Sequence, residues 1–156
     1  MRIAQVAPLH ESVPPKLYGG TERVVAYLTD ELVRQGHDVT LFASADSRTL
    51  AKHEPVGGKA ARLDPTCVDA LARHVVLLER VFARAAEFDV LHFHIDYLHF
   101  PLSRRFAATH LTTLHGRLDL PDLELVYAEF PTVPVVSINR KTEPRVRSSP
   151  WRVRGA

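Results

Sequence analysis

The chain has 156 residues, 46% of them apolar and 24% charged, which fits one globular domain of ordinary size and leaves little room for a second. Cys67 is the only cysteine, which excludes an intrachain disulfide, and no apolar stretch is long enough for a signal-peptide core or a membrane span, so the expected location is cytoplasmic. The net charge of +2 is uneven: residues 139–156 hold six of the 20 Lys and Arg but one of the 18 Asp and Glu. The basic balance therefore belongs to the end of the chain, and no nucleic-acid partner is expected from it.

In chain order, Ile3–Ala7 reads as a short buried strand, interrupted by one polar residue, Gln5. A proline-bearing loop leads to Gly19-Gly20, with Thr21 as the expected N-cap of a helix and Glu22 in its first turn. Val24, Val25, Leu28, Leu32 and Val33 recur at helical spacing, and Gly36 stops the helix. Val39–Ala43 is a second strand, so strand, helix and strand form a βαβ unit with parallel strands.

Residues 44–65 read as polar and irregular, with a turn at Gly57-Gly58. Val68, Leu71, Val75, Leu78, Phe82 and Ala85 describe one face of a second helix. Val90–Ile95 is the next strand, and Tyr97–Ala108 suits a helix disturbed by Pro101. Leu111–Leu114, Pro121–Phe130 and Val133–Ile138 complete the series as strand, helix and strand. Alternating β and α elements with apolar strands predict an α/β, Rossmann-like, doubly wound parallel sheet over residues 1–138. Residues 139–156, with two prolines, five arginines and no hydrophobic period, are expected to be a disordered or non-native tail.

In an open parallel sheet ligands bind beyond the carboxyl ends of the strands, and four features fall there. Gly19, Gly20 and Thr21 open the first helix, where free N–H groups and the helix dipole attract an anion. The segment is neither the G-x-G-x-x-G fingerprint nor a Walker loop. His92, His94 and Asp96 alternate along a strand end, as a metal site or as hydrogen-bonded residues shaping the sheet, the second being the preferred reading. His115-Gly116 closes the fourth strand, and His10-Glu11 forms an exposed pair just after the first.

Taken in order, Gly19-Gly20-Thr21-Glu22-Arg23, Gly36-His37-Asp38-Val39, Asp89-Val90-Leu91-His92-Phe93-His94 and Thr113-Leu114-His115-Gly116 resemble the N-terminal domain of family 4 retaining glycosyltransferases. The resemblance runs from about Arg2 to Ser137. It implies half of a GT-B architecture, in which two Rossmann-like domains face each other across a cleft. The domain seen here would hold the acceptor, and an opposing domain would hold most of the nucleotide-sugar donor. By the same resemblance Gly19 and Gly20 lie near the donor diphosphate or transferred sugar, His115 touches the sugar, and His92 and His94 shape the acceptor side. His10, by its place just after the first strand, is expected close to the same rim on the acceptor side. Transfer with retention and without a bound metal or other cofactor is implied.

The family's acidic E-x7-E signature is expected well beyond residue 156, and Asn139-Arg140-Lys141 departs from the family's usual Ser-Asp turn. A reading frame lost near Ile138 would explain that change, and a transferase of this kind is expected to be inactive as this chain alone. Two rival readings fit part of the same sequence. One is a metal-dependent hydrolase using His92, His94 and Asp96, for which a parallel βαβ order is the wrong fold. The other is a non-catalytic sugar-binding remnant of the same domain.

Overall fold

A computed structural model describes residues 1–138; the expected tail, 139–156, lies outside the described residues. Strands β1 (Arg2–Val6), β2 (Asp38–Ala43), β3 (Lys52–Pro55), β4 (Val90–Phe93), β5 (His110–Leu114) and β6 (Val135–Ser137) form one parallel sheet in the order β3-β2-β1-β4-β5-β6. β1 is thus the point at which the strand order reverses, bonded to β2 on one side and β4 on the other. Helices α1 (Gly20–Arg34), α2 (Ala70–Ala83), α3 (Phe100–Ser103) and α4 (Pro121–Glu129) make the connections.

Alternation along the strands sorts the core onto two faces. Leu41 and Ala43 meet Val25 and Ala26 of α1, whereas Phe42 and Phe93 join Leu77, Leu78, Val81 and Phe82 of α2 on the opposite side. A third cluster ties Leu114 of β5 to Leu123 and Tyr127 of α4. Phe42 and Phe93 are fully buried, each contributing roughly 1.5–3 kcal/mol relative to exposure. The sheet is covered on both sides, as expected of a doubly wound fold.

The expected element positions shift most in five places, each for a local reason. β3 falls in the segment read as irregular: Lys52-His53-Glu54-Pro55 has no apolar alternation, but it is an edge strand, where charge and a terminal proline are tolerated. α1 starts two residues earlier than a Thr21 cap requires, with Gly19 as N-cap. Its buried face is Glu22, Val25, Ala26 and Thr29, and Val24 turns outward. α2 is likewise rotated: His74, Leu77, Leu78, Val81 and Phe82 face inward while Val68, Leu71 and Val75 are exposed.

The helix expected over Tyr97–Ala108 contracts to one turn at Phe100–Ser103, with Pro101 in its first turn, where a missing N–H costs nothing. β4 ends at Phe93, although the His94 N–H still reaches the Val6 carbonyl at 2.9 Å. Two residues later Asp96 adopts φ 51°, a left-handed conformation that breaks the extended path.

Candidate functional site

The carboxyl ends of β1, β4 and β5 open onto a cleft of ≈ 580 Å³, lined by Gly19, Gly20 and Thr21 from the start of α1 and by His94, Asp96 and His115 opposite them. His10, Arg62 and His74 line a third side. The cleft lies where the strand order reverses, the usual ligand position in this class of sheet. Gly19 at the N-cap offers no side-chain acceptor, so the N–H groups of Gly20 and Thr21 at the start of α1 are without a cap. Gly20 has open space where a side chain would stand, whereas Gly19 is locked: an added Cβ would come within 2.7 Å of Pro15 Cβ.

The floor is a polar row built across three strands. Gln5 of β1 is fully buried between β2 and β4. Its Nε2 lies 3.3 Å from His92 Nδ1, and its Oε1 lies 2.8 Å from His94 Nε2. His92 Nε2 reaches Thr113 Oγ1 at 2.8 Å, and His94 Nδ1 reaches His115 Nε2 at 2.9 Å. Burial holds every imidazole of the row neutral: His92 is pushed down to about 4, with the His115 ring adding to the effect, His94 lies well below its ordinary value, and His115 is lowered as well. Asp96 moves the other way, raised by burial against a hydrogen bond from the His115 backbone N–H.

Two acidic groups lie buried near Gly19 and Gly20, of which Glu22 lines the cleft. Glu11, expected to be exposed, is only 4% accessible, and Glu22 is buried beside it with its carboxyl raised chiefly by desolvation. Arg62 stands 3.5 Å from Glu11, and the His10 ring packs 4.9 Å from that of His74. His74 is structural: its Nδ1 lies 2.7 Å from the Ala70 carbonyl and its Nε2 accepts the Leu9 N–H at 3.1 Å.

Of the residues singled out in the sequence, Gly19, Gly20, Thr21, His10, His94 and His115 therefore meet around one cleft. His92 lies beneath the floor, its ring 4.2 Å from that of His94, and is not among the lining residues. Gln5, Thr113, Glu22 and Arg62 were not expected. Only Gln5 carried a signal, as a lone amide inside an apolar strand. The residues do not suit a metal: His92 and His94 have both ring nitrogens engaged by protein groups. Among the described residues no group of three or more His, Cys, Asp or Glu is arranged to hold a metal ion.

This architecture, a six-stranded parallel sheet with a glycine-opened helix and a histidine lining one cleft at the switch point, defines a Rossmann-like domain. A sequence profile described as Glycosyltransferase Family 4 matches residues 18–153, and the chain belongs to that family. No protein of curated function matches the sequence significantly. Among solved structures, AviGT4, a glycosyltransferase involved in Avilamycin A biosynthesis, is similar with 26% identity and a TM-score of 0.54 over 78% of this chain and 34% of that one. Sucrose-phosphate synthase from Thermosynechococcus elongatus shares the fold at 13% identity, TM-score 0.58, covering 87% of this chain and 42% of that one. MurG from Acinetobacter baumannii does so at 12% identity, TM-score 0.57, covering 93% and 43%. The chain thus spans between 34% and 43% of the length of these structures and corresponds to one domain of a GT-B glycosyltransferase. No helix among the described residues is long and apolar enough to cross a membrane.

Proposed function

We propose that this domain forms the acceptor-side wall of a retaining glycosyltransferase and takes part in moving a sugar from a nucleotide-sugar donor to an acceptor. The observation that carries the reading is the convergence of Gly19-Gly20 and His115 on one cleft at the sheet's switch point, in a chain of this family. The uncapped N–H groups at the start of α1 would meet the donor diphosphate, and the bare Gly20 lets it come close. Charge growing on the departing diphosphate is then stabilised by fixed dipoles, which need no reorganisation during transfer. His115 would contact the transferred sugar. His10 and His94 would face the acceptor, and His92 would act from beneath by holding the floor.

Transfer with retention rests on the family resemblance, as does the assignment of most donor contacts to an opposing domain. Tested apart from an opposing domain, these residues would bind donor weakly and transfer nothing, and the non-catalytic sugar-binding reading describes that state. No metal or other cofactor enters the proposal, and the expected site of action is the cytoplasm.

The test is a titration of the 15N-labelled chain with UDP-glucose and GDP-mannose, followed by backbone amide shifts. Saturable movement of Gly19, Gly20 and His115 is the expected result. Movement confined to residues away from the cleft, or both donors at millimolar concentration leaving all three unmoved, would remove the reading.

A further inference from the structure

The polar row beneath the cleft has a direction, and the Gln5 amide sets it. An amide offers one donor group and one acceptor oxygen, and Gln5 spends them on different imidazoles. Its Nε2–H can donate to His92 Nδ1 only if that nitrogen is bare, so His92 carries its proton on Nε2 and donates to Thr113 Oγ1. Its Oε1 can accept from His94 Nε2 only if that nitrogen is protonated. A neutral imidazole has one N–H, so His94 Nδ1 is bare and accepts from His115 Nε2–H at 2.9 Å. The proton of His115 is then committed, and its Nδ1 is a lone pair. That atom is buried, has no hydrogen-bond partner, and belongs to a residue that lines the cleft. Such a group is costly to leave unmatched in a native fold, which points to a ligand atom as its missing partner.

We propose that Gln5, acting through His94, is a positioning residue that fixes His115 in the Nε2–H tautomer, so that His115 meets its ligand as a hydrogen-bond acceptor. The chemistry this selects is specific. A ligand hydroxyl or amide N–H satisfies Nδ1, whereas a phosphate oxygen, a sugar ring oxygen or a fluorine in the same place does not. Resting on the reading of His115 as the sugar contact, the inference makes that contact a sugar hydroxyl acting as donor. Gln5 touches no ligand and sets only which nitrogen of His115 is free.

The tautomers are read on the ligand-free chain by long-range 1H–15N correlation of histidine-labelled protein at pH 7. The expected spectrum shows His115 and His94 each with a bare Nδ1 and a protonated, slowly exchanging Nε2. A proton on His115 Nδ1, or an averaged pair of nitrogens there, overturns the proposal. In Gln5→Leu, with the fold confirmed by its amide spectrum, His115 should lose the single tautomer and average between the two. An unchanged His115 in the folded variant overturns the role of Gln5. Should Gln5→Leu fail to fold, a missing Nε2 proton on His94 in the unaltered chain overturns that role equally. Since no ligand is present, these outcomes are separate from the UDP-glucose and GDP-mannose titration that tests sugar binding.

Discussion

At the scale of single residues, the two glycines that open α1 have opposite tolerances. Gly19 has φ 156°, and its added Cβ would meet Pro15 Cβ at 2.7 Å and Glu22 Oε2 at 3.0 Å. Gly19→Ala should therefore destabilise the fold by roughly 1–3 kcal/mol, seen as a lower urea midpoint with an unchanged slope. Gly20, with nothing within 4 Å of an added Cβ, is the first residue of the helix. Gly20→Ala should leave stability equal or raise it by up to about 1 kcal/mol, while weakening donor binding in the amide-shift titration. Loss of stability with unchanged binding would count against a diphosphate beside this glycine. The pair was visible in the sequence as a turn, but which glycine is locked was not, because the clash comes from Pro15 four residues upstream.

At the scale of elements, α2 illustrates a helix held by its cap and its inner face. Asp69 accepts the Leu71 and Ala72 N–H groups at 2.8 and 3.2 Å. Asp69→Ala should cost about 1 kcal/mol, checked by urea denaturation, and should leave the cleft residues' amide shifts in place. The helix itself was legible from its apolar period, yet the chosen stripe was offset, since Val68, Leu71 and Val75 point outward while His74 is buried. A period gives the existence of a face, and tertiary packing picks which of two overlapping stripes turns inward. β1, β2, β4 and β5 were readable because central parallel strands, covered on both faces, are mostly apolar. β3 was not readable, because only one of its edges is paired and its side chains stay largely exposed. The site followed the same pattern: glycines and strand-end histidines announce themselves locally, whereas Glu11 becomes buried, and Arg62 is brought to it, only through folding.

At the scale of the whole molecule, burial of histidines ties stability to pH. His92 is held at about 4 and His99 at about 3, both by desolvation, against ordinary values near 6.5. The unfolded chain takes up these protons as pH drops below about 6.5 while the folded chain does not, so stability is full above that value and falls towards acid. Each of the two should cost the fold on the order of 2 kcal/mol by pH 5. Thermal unfolding followed from pH 7.5 to pH 5 should show a steep drop in Tm, and a flat profile would contradict the burial of these rings. The chain spans less than half of the solved structures it resembles, so a second whole-molecule expectation concerns activity. Incubated with UDP-glucose or GDP-mannose and sugar acceptors, the 156 residues alone should give no glycosylated product by mass spectrometry.

The row formed by Gln5, His92 and Thr113 also keys the alignment of the sheet. Apolar strands can slide past one another at little loss, since one valine or leucine replaces another against the same helix. Here Gln5 stands opposite His92, and His92 bonds to Thr113, in a single arrangement across β1, β4 and β5. A slip of one residue at either seam would turn these groups to the wrong face and leave each buried and unmatched, at about 1–3 kcal/mol apiece. Replacing all three by apolar residues of similar size could then preserve stability while loosening the sheet's commitment to one alignment.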